Sequence, residues 1–224
     1  MMTKALLLIP AFNESQVLGR VIRSVKQTLK IDILVVDDGS VDATAQVAKL
    51  NKVKLIRHII NRGLGAALAT GIDYALKNGY AYVITFDSDG QHEASDIPII
   101  IKTLISDKAD VVIGSRLLNG KNMPILRKLI NILSNFATYL LYGIWTSDSQ
   151  SGFRGFNRRA LEVIQIRSQR MEVSTEIFGE IQKHNLRVKE IPVRAKYTPY
   201  SVAKGQPISN AGNVLWKLLL QRLS

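Results

Sequence analysis

Two aspartates stand one residue apart at the end of an apolar, β-rich run, in the order Asp87, Ser88, Asp89, and Gln91 follows two residues later. Side chains alternate faces along an extended strand, so Asp87 and Asp89 project to the same side of the strand's end. Oxygen ligands at that place suit a hard divalent cation, Mg²⁺ or Mn²⁺, which keeps open positions for phosphate oxygens. Because two aspartates at this spacing are a short and common pattern, taken alone they indicate more often a polar turn that ends a strand and begins a helix at residues 93–96.

The elements that position these carboxylates are predicted to be strands that alternate with helices. Five strands are expected near residues 5–10, 31–36, 53–59, 82–86 and 110–114, and a short edge strand near residues 188–193. The segments between the first five strands repeat apolar residues at helical spacing, and Asn13 is predicted to cap the first helix. This alternation predicts an α/β fold, with a mostly parallel sheet flanked by helices.

Distinctive polar clusters follow the carboxyl ends of the first four predicted strands. They occupy residues 10–14, 37–40, 61–65 and 87–91. Since such ends meet at one edge of a parallel sheet, the clusters predict one crevice that holds a nucleotide-like ligand. The second cluster alone is equally the pattern of a plain turn. The glycine turn follows the third strand and lacks the last glycine of a dinucleotide fingerprint, which argues against a dinucleotide-binding domain.

Composition limits the class of protein. The 224 residues are 46% hydrophobic, which is enough for one domain with a substantial core. No cysteine is present, so disulfides and thiolate metal sites are excluded, and three scattered histidines make no zinc site. The first ten residues do not have the pattern of a secretory signal peptide.

The net charge of +12 lies almost entirely in the second half of the chain. Residues 1–112 carry 13 Lys and Arg against 12 Asp and Glu, whereas residues 113–224 carry 17 against 6. The second half is therefore expected to meet something anionic. On the basis of charge alone, the anionic partner is equally a nucleic acid, an acidic membrane surface or a phosphorylated substrate.

Taken in order, the motifs resemble those of the inverting GT-A glycosyltransferases of family 2. The resemblance rests on the polar clusters at residues 10–14, 35–44, 61–65 and 87–92. Two further motifs are similar to dolichyl-phosphate mannose synthase and bacterial polyprenyl-phosphate glycosyltransferases, namely Gly114-Ser115-Arg116 and Ser151-Gly152-Phe153-Arg154.

The resemblance covers about residues 4–204 and implies one GT-A, Rossmann-like domain over residues 1–224. Residues 1–115 would form the nucleotide-sugar-binding half, and residues 116–224 the acceptor-binding half.

The resemblance also implies roles for individual residues. The metal ligands would be Asp89 and Gln91. Lys204 matches a lysine of the mannose synthases, but Thr198 stands where they carry an arginine, which leaves a GDP- or a UDP-linked donor open. The nucleotide sugar would be bound by Pro10, Phe12, Glu14, Val36, Asp38, Asp87, Ser88 and Lys204.

Residues 124–145 have the pattern of an amphipathic helix with a wide apolar face. The apolar run is much shorter than the roughly 20 residues of a membrane span. A helix that lies in the membrane interface fits the pattern, as does a helix docked on the sheet or at a dimer contact. A second interfacial helix is expected at residues 208–223. The polar stripe of the first comprises Arg127, Lys128, Asn131, Ser134, Asn135 and Thr138.

The chemistry of the acceptor follows from the basic second half. A lipid phosphate is anionic at pH 7, because its second pKa is about 6. It needs to be oriented rather than deprotonated, and Arg116 and Arg127, with Arg154 as a further candidate, are expected to do so. With Asp87 and Asp89, these two arginines are the predicted catalytic residues.

The sequence therefore predicts a metal-dependent inverting transferase that moves a hexose from a nucleotide sugar to a polyprenyl or dolichyl phosphate. It is expected at the cytoplasmic face of a membrane, as a peripheral protein, with a small membrane-protein partner or a homo-oligomer left open. One alternative is a glycan hydroxyl acceptor with Asp148 or Glu176 as base. The other is a non-catalytic nucleotide- or nucleic-acid-binding module, which the acidic clusters oppose, so no nucleic acid partner is expected.

Overall fold

The computed structural model describes residues 4–106, 109–119, 123–198 and 200, without the side chains of Asn119 and Leu126. Two predictions from the sequence lie outside these residues, namely the role of Lys204 and the interfacial helix at residues 208–223.

A seven-stranded sheet forms the centre of the described fold, in the order β3-β2-β1-β4-β6-β5-β7. All neighbouring strands are parallel except β6, which is antiparallel to both β4 and β5. The predicted mostly parallel sheet is confirmed, and so is the edge strand β7. The strands are β1 (Ala5–Ala11), β2 (Asp32–Asp37), β3 (Lys54–Arg57), β4 (Tyr82–Thr85), β5 (Val111–Ser115), β6 (Arg154–Asn157) and β7 (Val188–Pro192).

Helices cover both faces of the sheet. One face packs against α1, α2 and α4, and the other against α3, α7 and α8. The described helices are α1 (Leu18–Thr28), α2 (Thr44–Leu50), α3 (Leu64–Lys77), α4 (Ile97–Ser106), α5 (Arg116–Asn119), α6 (Ile125–Tyr142), α7 (Arg158–Val163) and α8 (Val173–Lys183).

The apolar run of β1 is explained by these two layers. Leu6 and Leu8 lie in the core beside α3 and α8, whereas Leu7 and Ile9 lie in the core beside α1 and α4. All four side chains are fully buried. A strand that is covered on both faces has no solvent side, so its sequence is apolar throughout instead of alternating.

The chain order of the strands creates a crevice between β1 and β4. From β1 the chain continues to β2 and β3 on one side, and it then crosses to β4 on the other side of β1. The loops after β1 and β4 therefore leave the sheet edge in different directions, which is where open α/β sheets bind ligands. The polar clusters at residues 10–14 and 87–91 are these two loops.

Two details differ from the sequence-based expectation. The predicted N-cap at Asn13 is wrong, because α1 begins at Leu18 after Val17. Asn13 instead adopts a left-handed φ of 54°, and its side-chain oxygen accepts a hydrogen bond from the Val41 amide at 3.0 Å. Strand β6 was not predicted.

Within the part of the chain that the structure describes, no helix combines the length and the apolar character needed to cross a membrane.

Candidate active site

Asp87 lies directly beyond β4, with one carboxylate oxygen 3.1 Å from the His92 ring nitrogen Nε2. The His92 ring is buried between Phe86 and Phe153, with centroids 5.8 and 5.1 Å away, so it holds Asp87 from a fixed position. Burial opposes ionisation of Asp87, but the His92 hydrogen bond and the positive charge of Arg116 outweigh it and lower the pKa. Asp87 is therefore a carboxylate at neutral pH.

Asp89 lies in the same cleft, but its pKa is shifted in the opposite direction to that of Asp87. Burial and the neighbouring charge of Asp87 raise the pKa of Asp89 to about 6, and the charge of Glu14 adds to the effect. The Gln91 amide donates a hydrogen bond to Asp89 Oδ1 at 2.9 Å, which favours the ionised form. The structure thus brings carboxylates from the loops after β1 and β4 into one negatively charged crevice.

Gly152 makes the close approach to Asp87 possible. A Cβ atom at this position would lie 2.2 Å from Asp87 Oδ1, a distance that no real contact allows. The Thr85 hydroxyl donates to the Gly152 carbonyl at 2.7 Å, which fixes the loop that precedes β6 beside the end of β4. The loop that precedes β6 therefore lies at the crevice, with Asp87 as its neighbour.

The segment after β7 supports the other side of the loop that carries Asp89. The Lys196 amide donates to the Gln91 carbonyl at 2.8 Å, and the Lys196 side chain lies 2.6 Å from a Glu93 oxygen. Arg194 forms an ion pair with the buried Asp96 at 2.6 Å. These contacts hold the predicted metal loop from a segment about 100 residues away in sequence.

The predicted nucleoside-binding residues differ in how they meet the crevice. Phe12 is 41% exposed, and Pro10 lines a cleft together with Asp87. Glu14 is buried, and its carboxylate accepts a hydrogen bond from the Tyr200 hydroxyl at 2.7 Å. Ser88 is also buried, and the side chain of Val36 is enclosed in the core.

Asp38 holds the neighbouring glycine turn. Its carboxylate accepts hydrogen bonds from the Arg62 amide at 3.0 Å and the Gly63 amide at 2.6 Å. The His58 ring contacts the same carboxylate at 2.7 Å and the Thr70 hydroxyl at 2.9 Å. In this structure the Asp38 carboxylate therefore fixes the conformation of the glycine turn that borders the crevice.

The glycines of that turn pack against another loop of the protein. The Gly65 amide donates to the Gln169 carbonyl at 2.8 Å, and a Cβ atom at Gly65 would lie 1.8 Å from the Ser168 carbonyl oxygen. Gly63 has a left-handed φ of 93°, which favours glycine. The glycine spacing at this place serves backbone packing.

Arg116 is paired with a buried carboxylate. Its Nε and one terminal nitrogen each lie 2.8 Å from an Asp148 oxygen, and its backbone amide donates to Asp148 at 2.9 Å. Asn131 of α6 donates to the same carboxylate at 2.7 Å. Burial opposes ionisation of Asp148, but Arg116 and Asn131 outweigh it and lower the pKa. Asp148 is thus a poor candidate for a general base.

Replacing Arg116 with alanine is expected to destabilise the fold by about 3–5 kcal/mol, because the fully buried Asp148 charge would lose its partner. Urea unfolding measures this change. Arg158→Ala is the control, since its pair with Glu162 is about half exposed and such pairs contribute about 1 kcal/mol or less. Equal losses in both variants would contradict the prediction.

Arg154 is buried and connects three backbone carbonyls of the surrounding loops and α8. Its guanidinium donates to the carbonyls of Ser151 at 2.8 Å, Ser149 at 2.7 Å and Ser174 at 3.0 Å. Burial lowers the pKa of Arg154 to about 10. These bonds position the Gly152 loop against α8. Arg154, which the sequence suggested as a contact to the acceptor phosphate, therefore shapes the site by holding this loop.

Helix α6 turns its polar stripe towards the protein. Asn131, Asn135 and Thr138 are buried, and Asn135 exchanges hydrogen bonds with the backbone of Ser147 at 2.7 Å and Ser149 at 2.8 Å. The opposite face is apolar and open to solvent. It comprises Ile125, Leu129, Ile132, Leu133, Phe136, Tyr139 and Leu140, with Trp145 beyond the helix end, and we call it the α6 apolar face.

The loop after β4 offers the donors that Mg²⁺ or Mn²⁺ prefers. Asp89 and Gln91 carry side-chain oxygens, and burial together with the surrounding negative charge raises the pKa of Asp89. Among the described residues, no group of three His, Cys, Asp or Glu side chains is arranged to hold a metal. Since Mg²⁺ commonly takes one or two carboxylates together with substrate phosphates, the residues fit a cation that binds with a diphosphate.

Comparison with known proteins assigns the class. A family model described as glycosyl transferase family 2 matches residues 7–165. Glucosyl-3-phosphoglycerate synthase from Mycobacterium tuberculosis, solved with Mn²⁺, UDP and phosphoglyceric acid, shares the fold at 15% identity. Its TM-score is 0.76, over 97% of this chain and 76% of that one. The fold is therefore that of a GT-A glycosyltransferase, and the chain belongs to glycosyl transferase family 2.

Two relatives with similar sequences are named as enzymes that form lipid-linked sugars. The UDP-N-acetylglucosamine–dolichyl-phosphate N-acetylglucosaminyltransferase of Methanococcus voltae is 35% identical over 97% of this chain and 95% of its own length. The polyprenol monophosphomannose synthase of Mycolicibacterium smegmatis is 31% identical over 73% of this chain and 65% of its own length. The protein is a glycosyltransferase, as the sequence motifs predicted.

Sequence reasoning missed the residues that hold the predicted ones in place. His92 belongs to the polar cluster at residues 87–92, and its distance of five residues from Asp87 was the available signal. Asp148 was considered only as a base for a hydroxyl acceptor, although a lone buried aspartate among arginines is typical of an ion pair. No local signal marked Tyr197, whose ring lies beside Arg127.

Proposed function

We propose that the protein transfers a hexose from a nucleotide sugar to the phosphate of a polyprenyl or dolichyl lipid, with inversion at the anomeric carbon. The donor half is residues 1–115 and the acceptor half is residues 116–224. The observation that carries the proposal is the α6 apolar face, which is open to solvent on the half of the protein that also carries the net positive charge.

Asp89 and Gln91 are the ligands for Mg²⁺ or Mn²⁺ in this proposal. A cation held by these residues would neutralise the charge that develops on the leaving nucleoside diphosphate. Phe12 and Pro10 border the nucleoside, and Asp87, fixed by His92, lies beside the sugar. The related structure with Mn²⁺ and UDP supports this arrangement by its shared fold.

The reaction needs no general base when the acceptor is a phosphate monoester. An oxygen of the lipid phosphate attacks the anomeric carbon, and the bond from that carbon to the diphosphate breaks on the opposite side. The nucleoside diphosphate leaves with the electron pair. Since the phosphate is already ionised at neutral pH, no proton has to be removed.

The carboxylates that a hydroxyl acceptor would require are already engaged. Asp148 is bound by Arg116 and Asn131. Glu176 accepts hydrogen bonds from the amides of Arg167 at 3.0 Å and Ser168 at 3.0 Å. Both side chains hold loops, which favours the phosphate acceptor over a glycan hydroxyl.

Arg127 is the proposed contact to the acceptor phosphate. It lies at the first turn of α6, at the border between the apolar face and the crevice, and Lys128 follows it on the same turn. Arg116 contributes its positive charge from beside Asp87. An arginine at this border allows the lipid tail to lie along the α6 apolar face while its phosphate enters the site.

Membrane attachment is proposed to be peripheral, at the cytoplasmic face. The α6 apolar face would enter the bilayer interface while the buried polar stripe stays bound to the protein. Both relatives are named for polyprenyl- or dolichyl-linked products or acceptors, which supports a membrane lipid as the acceptor.

The test is transfer of labelled sugar to polyprenyl phosphate in detergent micelles, with UDP- and GDP-linked hexoses and N-acetylhexosamines as donors. The expected result is metal-dependent transfer to the lipid phosphate and none to the free polyprenol. Arg127→Ala is expected to raise the acceptor KM at least tenfold, because a charged contact to phosphate is lost.

Lys128→Ala removes the same charge from an exposed neighbouring position and should leave the acceptor KM within about twofold, as most solvated surface charges do. Transfer to polyprenol or to a glycan hydroxyl at the same rate would overturn the proposed function.

A further inference from the structure

Tyr197 lies on the segment after β7, where that segment passes α6. The guanidinium carbon of Arg127 lies 5.9 Å from the centroid of the Tyr197 ring, within the range of a cation–π contact. The phenol is also within electrostatic reach of Arg116 and Asp148. Tyr197 therefore lies beside Arg127 and close enough to Arg116 to be influenced by its charge.

The hydroxyl of Tyr197 is buried and has no hydrogen-bond partner among the residues that the structure describes. Buried polar groups nearly always have a partner, so an unsatisfied one requires an explanation. Leaving such a group unsatisfied costs stability, and a phenylalanine would fill the same space without that cost. In the ligand-free protein the tyrosine hydroxyl is therefore at an energetic disadvantage relative to a phenylalanine at the same position.

The charges around the hydroxyl decide which ligand suits it. Burial raises the pKa of Tyr197, and Asp148 opposes ionisation further, while Arg116 and Arg127 act in the opposite direction. The net result is a phenol that stays protonated at neutral pH and can donate. A proton donor beside the guanidinium group of Arg127 and within reach of the Arg116 charge suits an anion with several acceptor oxygens.

We propose that the Tyr197 hydroxyl donates a hydrogen bond to a phosphate oxygen of the acceptor lipid, beside the proposed contact from Arg127. The inference rests on the proposed function and adds a residue to it. The acceptor phosphate is favoured over the donor diphosphate because Tyr197 contacts α6, whereas the diphosphate is proposed to bind at Asp89 in the loop after β4.

A tyrosine that binds the acceptor phosphate can be distinguished from a tyrosine that only packs against Arg127. A packing role depends on the ring, which Tyr197→Phe keeps over Arg127. A binding role depends on the hydroxyl alone, which the same change removes. The two roles therefore predict opposite results for one conservative variant.

The experiment compares wild type, Tyr197→Phe and the control Tyr74→Phe, in which the hydroxyl is removed from a partly buried ring on α3. Steady-state kinetics with polyprenyl phosphate and the active nucleotide sugar give both KM values and kcat, and thermal unfolding gives Tm. Tyr197→Phe is expected to raise the acceptor KM about tenfold or more, leave the donor KM within twofold, and keep or raise Tm. Tyr74→Phe should change neither KM.

Three outcomes overturn the inference. An unchanged acceptor KM means that the hydroxyl contacts no acceptor oxygen. A donor KM that rises as much as the acceptor KM assigns the hydroxyl to the diphosphate. A fall in Tm with unchanged kinetics gives the hydroxyl a structural role. By contrast, a wild-type protein that does not use polyprenyl phosphate at all overturns the proposed function itself.

Discussion

Asp89→Asn is expected to lower the rate of sugar transfer by about 1000-fold, the upper range for loss of a group that stabilises the leaving-group charge. The variant keeps the size of the side chain and its hydrogen-bond acceptor for the Gln91 amide. It removes the negative charge that a divalent cation requires, and a neutral amide is a weak ligand in comparison. Initial rates over a range of Mn²⁺ concentrations measure the loss.

Asp73→Asn is the matched control, because it removes the same charge from an exposed position on α3, where Asp73 pairs with Lys77. Its rate should stay close to that of wild type. A thermal-shift series with UDP or GDP supplies a second readout, since a ligand that binds only the folded protein raises Tm. If Asp89→Asn still showed the Mn²⁺-dependent shift of wild type, the metal assignment would be wrong.

The sheet was predictable because its parallel strands are buried on both faces. The run that forms β1 is continuously apolar, and strands of this kind followed by periodic helices imply parallel pairing. Strand β6 escaped prediction because its four residues, Arg154–Asn157, include an arginine, a glycine and an asparagine. Its place between β4 and β5 is dictated by tertiary pairing, which overrides local preference.

The crevice was predictable because all its main residues follow strand ends. Loop position relative to a parallel strand is a local property, so Asp87 and Glu14 could be assigned to one edge of the sheet from the sequence alone. Their roles in binding remain predictions. The partners of these residues were not predictable, because Asp148 meets Arg116 across 32 residues and Asp38 meets Gly63 across 25.

The amphipathic pattern of α6 was predicted from the sequence, but the structure was needed to show that its polar stripe faces the protein. A helix with one polar stripe is usually drawn with that stripe in water. Here, Asn131 and Asn135 face the loop at residues 146–149, whose backbone groups and buried Asp148 need partners. The protein interior at this place is polar, so the apolar residues of the helix are left on the outside.

The double variant Leu133→Glu, Phe136→Glu is expected to abolish binding to lipid vesicles. Leu133 is 67% exposed and Phe136 is 53% exposed, and both lie on the α6 apolar face. Burying one such side chain in a bilayer interface contributes about 1.5–3 kcal/mol. Losing two should therefore lower the partition coefficient by at least about 100-fold, since 1.4 kcal/mol corresponds to a factor of ten. Co-sedimentation with vesicles that contain anionic lipid measures the effect.

The control is Leu50→Glu, which introduces the same charge at a leucine of α2 that is 73% exposed but lies outside the α6 apolar face. It tests whether added negative charge alone weakens binding to an anionic surface. If Leu50→Glu reduced binding as strongly as the double variant, electrostatics would explain the attachment and the α6 apolar face would not. If only the double variant lost binding while it kept transfer to polyprenyl phosphate in micelles, then the face anchors the enzyme and the arginines bind the acceptor phosphate independently.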